Sequence, residues 1–380
     1  MNTTTAAKRH ITGRSSAAFI ACSLNGNYKT IYYYCINKFL GFLFQGGHSM
    51  ANSNLRINMT GTEPEPNARA KRYQTAIDMA AYVDQQGFTS VNVEEHHLAD
   101  NGWLPSPITM ASAIAARTDH VGIGVMALLV SLYDPIRLAE DLAVLDLLSE
   151  GRLNFVAGMG YRDIEFHAMD KPYEERGAWM DHVLETLLAA WRDEPFEYRG
   201  KMINVTPKPL TQPHPTFLVG GMSKPAARRA ARLGLPFCPP ISTPVLETYY
   251  YEQLAKYQQQ GFVYSPEADF SLLFIDENPD QAWDELGHHF LNEVVEYSSW
   301  KKEGLSRPLE FNSDSVDALR AEGRYEIITP QACLERHEQR PDYTATLHPL
   351  IGGMPLDRAW QCLHLYTEKV LSPLRTSSSQ

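Results

Sequence analysis

Short apolar runs alternate with amphipathic helical stretches along most of the chain, and this alternation restricts the fold more than any other feature. The runs Leu55–Met59, Phe88–Glu94, Val121–Val130, Leu153–Ala157, Thr216–Val219, Leu235–Cys238, Ser271–Ile275 and Leu347–Ile351 read as strands, each bounded by Gly, Pro or polar residues. Between them, apolar residues recur every three or four positions, as in Leu138, Leu142, Leu145 and Leu148, or Met180, Val183, Leu184, Leu187, Leu188 and Trp191. Eight strands separated almost throughout by helices predict a single-domain (β/α)8 TIM barrel over residues 50–375. Residues 301–345, of mixed charge and weak periodicity, read as an insertion before the last strand. An open doubly wound sheet shares the alternation and differs only in strand order, so it stands as the alternative.

With 380 residues, 44% of them apolar, the chain can bury a large core. A net charge of -11 opposes a nucleic-acid or anionic-membrane partner, since both require a basic face. The one acid-free stretch is Met1 to Thr62, basic and rich in Ser, Thr and Asn. Such a leader can be a transit peptide, but residues 1–49 are read here as a disordered or non-native extension, with the domain starting at Met50. Its apolar part is too short and too interrupted to span a bilayer. Five sparse cysteines without CxxC spacing suggest reduced thiols, hence a cytoplasmic setting.

In a barrel, the C-terminal ends of the strands line one working mouth. Glu95-His96-His97 follows the second strand. It reads as a solvated loop start, as metal ligands, or as a proton-transfer site. The metal reading is weakened because neighbouring residues in extended chain point opposite ways. Gly158-Met159-Gly160-Tyr161 follows the fourth strand and lacks the third glycine of the dinucleotide fingerprint, position 163 being Asp163. Gly220-Gly221-Met222-Ser223 precedes a helix, where free backbone N–H groups and a hydroxyl suit a phosphate, with Arg176 as a source of positive charge. An ordinary Ser N-cap and a surface arginine are the plain alternatives.

Four segments in order resemble the bacterial luciferase-like family of flavin-dependent monooxygenases. They are Glu95-His96-His97; Pro135 to Arg152; Gly158 to Arg176 with Glu165-Phe166; and Gly220 to Ser223 followed by Arg228-Arg229-Ala230-Ala231. The resemblance implies that reduced FMN, delivered by a separate flavin reductase, works with O2 to oxidise a small organic substrate, and Trp103, Tyr133 and Phe166 suggest an apolar one. It implies His96 and Glu95 as catalytic residues of a Glu-His-His triplet. It also implies flavin over Met126, Ala127, Gly158, Met159, Gly160 and Tyr161, and a phosphate near Arg176, Gly220, Gly221, Met222 and Ser223. Met126-Ala127 is the expected site of a non-proline cis peptide, and a homodimer is the expected assembly. A deazaflavin coenzyme used for hydride transfer and a flavin-binding role without turnover are the alternatives. The luciferases' arginine and reactive cysteine after strand four are Met159 and Gly158 here, which argues against light emission.

Overall fold

The computed structural model describes residues 51–377 except 62, 64, 267–269, 301–312 and 341. The expected extension at 1–49 lies outside the described residues, as does the first part of the expected insertion.

Nine strands form one sheet: β1 (Asn52–Ile57), β2 (Ser90–Val93), β3 (Gly122–Leu129), β4 (Leu153–Gly158), β7 (Thr216–Gly220), β8 (Phe237–Cys238), β9 (Leu272–Ile275), β10 (Tyr325–Ile328) and β11 (Thr344–Leu347). The short strands β5 (Phe196–Tyr198) and β6 (Lys201–Ile203) form a separate antiparallel hairpin. The order in the sheet is β10-β9-β11-β1-β2-β3-β4-β7-β8, and every pairing is parallel. A doubly wound sheet starts in the middle and reverses direction. Here β1 lies beside the last strand, Asn52 opposite Thr344, and the chain then advances in one direction through β8. From β11 through β8 that is the succession of a barrel, while β9 lies between β10 and β11.

Helix α3 (Pro135–Leu148) shows how local chemistry builds one unit. Asp134 accepts from the backbone N–H groups of Ile136 at 3.0 Å and Arg137 at 3.2 Å, a cap that contributes about 1 kcal/mol. Pro135 occupies the first turn, where its missing N–H costs nothing. Leu138, Leu142 and Leu145 are fully buried, each stabilising by about 1.5–3 kcal/mol. Ser149, Glu150 and Gly151 then end the helix and turn the chain into β4.

The last third departs from expectation. The stretch read as an insertion contains helix α9 (Val316–Glu322), strand β10 and helix α10 (Pro330–Gln339). Strand β10 was illegible because Glu326 interrupts it; that charge is held by Arg336 and Ser271 while Tyr325 and Ile327 are buried. The final strand runs over Thr344–Leu347, three residues before the expected run began to look apolar. Leu350 and Ile351 are apolar because they pack in the following turn, where both are fully buried. Among the described residues no helix is long and apolar enough to cross a membrane.

One buried titratable group makes stability depend on pH. His337, on α10, has its Nε2 3.1 Å from the Tyr366 hydroxyl, and burial pushes its pKa down to about 4. The folded ring therefore stays neutral where the unfolded one, with an ordinary pKa of about 6.5, takes a proton. Stability should be complete above about pH 6.5 and fall by up to about 3 kcal/mol as the pH drops towards 4. Urea unfolding of wild type and His337→Gln across that window checks it, since the variant should lose this slope.

Candidate active site

Because all strands of the sheet are parallel, their C-terminal ends share one rim. The loop after β2 delivers Glu95, His96 and His97 there, and the two histidines diverge as extended chain requires. Nε2 of His97 lies 2.9 Å from Oε1 of Glu95, whereas Nδ1 of His96 lies 3.2 Å from Oε1 of Glu165. Glu95 also accepts from the Leu129 backbone N–H and the Tyr133 hydroxyl, each at 2.6 Å. Both of its oxygens are engaged in holding the end of β3 to the end of β2. Burial and then Glu95 push the Tyr133 hydroxyl far above its usual pKa, so it remains a donor.

His96 lies among aromatic rings. The ring centroids of Trp300, Trp103 and Tyr161 are 4.6, 5.1 and 5.7 Å from its own, and Tyr297 closes the far side at 6.1 Å. Nε2 of His96 makes no hydrogen bond to a described residue. The guanidinium of Arg162 stacks over Trp300 at 4.0 Å and donates to the backbone carbonyl of His97 and to Glu165. Trp300 therefore contacts both a cation and the imidazole.

The expected cis peptide is present between Met126 and Ala127, and the register against β4 shifts there. Met126, Ala127, Gly158, Met159, Gly160 and Tyr161 are all partly exposed, although the strand residues before them are mostly buried. They form one continuous wall across the ends of β3 and β4. Gly158 keeps it flat: a Cβ there would lie 3.0 Å from that of Ala127 and 3.3 Å from Cδ2 of Leu129.

At the end of β7, Gly220, Gly221 and Met222 lead into Ser223, which caps helix α6 (Lys224–Leu233) by accepting from the Ala226 N–H at 3.4 Å. Helix α5 (Arg176–Ala190) starts beside it, because the buried Arg229 of α6 donates to the carbonyl of Gly177 at 2.8 Å and to Asp181 at 2.9 Å. Arg229, in the second half of α6, thus ties that helix to the first turns of α5. Arg176 rests 4.2 Å above the Tyr173 ring with Nη1 on the Tyr173 carbonyl at 2.7 Å. Gly221 has φ 142°, and a Cβ there would meet that of Ala226 at 2.6 Å. Gly221→Ala should therefore cost about 1–3 kcal/mol and disturb this cradle. Urea unfolding of wild type and variant measures the loss.

A model of the luciferase-like monooxygenases matches residues 54–343. The chain belongs to that family. Within it, the alkanal monooxygenase beta chain of Vibrio harveyi is 29% identical over 170 residues, 42% of this chain and 51% of that protein. The chain spans about half the length of the curated relatives it matches. Among solved structures, the monooxygenase RslO1 of Streptomyces bottropensis superposes with a TM-score of 0.67 at 23% identity, covering 85% of this chain and 99% of that one. The oxygenating constituent of 3,6-diketocamphane monooxygenase from Pseudomonas putida, in complex with FMN, gives 0.57 at 16%, covering 85% and 98%. At these identities the structures establish a common fold, the α/β barrel of the family.

Sequence reasoning missed one cluster on the same side of the barrel. Helix α8 (Pro279–Ser299) carries Glu293, whose buried carboxylate accepts five hydrogen bonds. Arg56 Nη1 and the Tyr325 hydroxyl donate to Oε1 at 2.9 Å each. Asn58 Nδ2 at 2.7 Å, Thr60 Oγ1 at 2.9 Å and His348 Nε2 at 3.0 Å reach Oε2. Burial alone would raise the Glu293 pKa, but Arg56, His348 and these hydrogen bonds hold it well below the ordinary carboxylate range. Thr60 in turn receives the backbone N–H groups of Gly352 and Gly353 at 2.9 and 2.8 Å, joining the first and last rim segments. One turn beyond Glu293, the same helix presents Tyr297 and then Trp300 to His96.

Proposed function

We propose that the chain is the oxygenase component of a two-component system, using reduced FMN and O2 to oxidise a small apolar organic substrate. The observation that carries this reading is the side-chain-free Gly158 packed beside Ala127, on the rim that also holds His96, whose Nε2 has no hydrogen bond among the described residues. The residues fit a flavin. A planar ring needs a wall without side-chain relief, and the N-terminus of α6 after Gly221 suits its phosphate. Two buried polar atoms without hydrogen-bond partners among the described residues, Trp103 Nε1 and Glu165 Oε2, belong to residues in contact with His96, where a ligand or water can satisfy them.

When bound, reduced FMN supplies the electrons and the ring that activates oxygen. The protein's share is binding, orientation and proton handling. Ser223, the N–H groups of α6 and Arg176 would hold the phosphate end, and Met126, Ala127, Gly158 and Gly160 would support the ring. His96 Nε2 accepts or returns a proton, while Trp103, Tyr161, Tyr297 and Trp300 keep bulk water from it. Cys238, Cys333 and Cys362 are free thiols, and we assign the enzyme to the cytoplasm as a homodimer fed by a separate reductase.

Anaerobic titration with reduced FMN, and in parallel with the reduced deazaflavin coenzyme, followed by admission of air, tests the reading. The expected result is tight binding of reduced FMN and a rate of flavin reoxidation that differs from that of free FMN. Unchanged oxygen reactivity of bound FMN would overturn the oxygenase assignment. Preference for the deazaflavin would redirect it to hydride transfer.

A further inference from the structure

We propose that Glu165 is a positioning residue that holds the His96 imidazole as its Nδ1–H tautomer, leaving the Nε2 lone pair as the base at the mouth. The Nδ1 of His96 lies 3.2 Å from Oε1 of Glu165, and an ionised carboxylate can only accept. Nδ1 therefore carries a proton, and in the neutral ring Nε2 carries none.

Three donors fix Oε1 in place: His96 Nδ1, the backbone N–H of His97 at 3.0 Å and Arg162 Nη1 at 3.1 Å. The Glu165 side chain has no solvent exposure. Burial works to raise its pKa, but His96, the His97 N–H and Arg162 together carry it below the usual carboxylate range, so it is ionised at neutral pH. The His96 main chain is anchored as well, its N–H donating to the Leu104 carbonyl at 3.1 Å. Ring and carboxylate thus meet in one orientation, and the edge carrying Nε2 is turned away from Glu165.

Among the described residues, the charged and titratable groups around this ring are few. Helix α4 (Asp163–Ala168) contributes Glu165, and Arg162 caps its start; the loop after β4 contributes Tyr161, and α8 contributes Tyr297. On the same loop as His96, Glu95 and His97 are engaged with each other.

The test is nitrogen NMR of the imidazoles in the isotopically labelled full chain without cofactor, with His96 assigned from a His96→Asn variant. At a pH where the ring is neutral, His96 should show a protonated Nδ1 and an unprotonated Nε2. Glu165→Ala should abolish this preference, and Glu165→Asp should retain it. An Nε2–H ring in wild type, or an unaltered tautomer in folded Glu165→Ala, would overturn the proposal. Should the alanine variant not fold, the wild-type tautomer decides. Catalytic use of the lone pair rests on the oxygenase reading, but the tautomer does not, so failure here and failure of the flavin titration are separate results.

Discussion

His96→Ala is expected to lower turnover with reduced FMN and oxygen by roughly two to four decades, the usual effect of removing an acid–base group. Affinity for reduced FMN should change little, because the wall at Met126-Ala127 and Gly158 and the cradle at Ser223 come from other strands. The substitution also removes a ring from the centre of an aromatic cluster, with Trp300 only 4.6 Å away between centroids. A cavity of that kind destabilises by a few kcal/mol. Thermal unfolding must therefore accompany the kinetics, and turnover should be read at a temperature where both proteins are folded. A fall of less than about tenfold in the folded variant would remove His96 from the chemistry.

The second large effect is structural. Glu293→Ala should destabilise the fold by about 3–5 kcal/mol, the range for removing one partner of a buried ion pair. Five donors lose their acceptor at once, and Arg56 keeps Glu94 as its only other carboxylate contact among the described residues. Glu293→Gln keeps the shape and part of the hydrogen bonding, so its loss should be smaller. Urea unfolding of both variants measures the difference, and a loss below about 1 kcal/mol for the alanine variant would show that the network is dispensable.

Legibility along the chain followed burial. Strands β1 to β4 and β7 are buried segments flanked by glycine, proline or polar residues, and their positions were readable to within a few residues. Strand β10 was hidden because Glu326, paired with Arg336, makes a half-buried strand look like a charged loop. The end of β11 was displaced because Leu350 and Ile351 are buried in a turn that periodicity does not distinguish from a strand.

Of the site, the glycines, the histidine pair and the cis peptide announced themselves through spacing and family resemblance. The partner of His96 did not. Glu165 lies 69 residues away in sequence, and nothing local says which carboxylate will face which ring. Glu293 did leave a trace: it is a charge on the buried face of α8, three residues after Phe290 and one before Val294. An isolated acid among buried apolar neighbours needs partners, and here they come from both ends of the barrel's chain.

Helix α8, at 21 residues, is a rod about 30 Å long, and it separates two jobs along its axis. Glu293 secures it to the barrel, while Tyr297 and Trp300, further along, border the imidazole without belonging to the ion network. Such a division favours diversification. Successive replacements at the two aromatic positions can reshape what the protein accepts, in nature or in a mutant library, without dismantling the anchor beneath them.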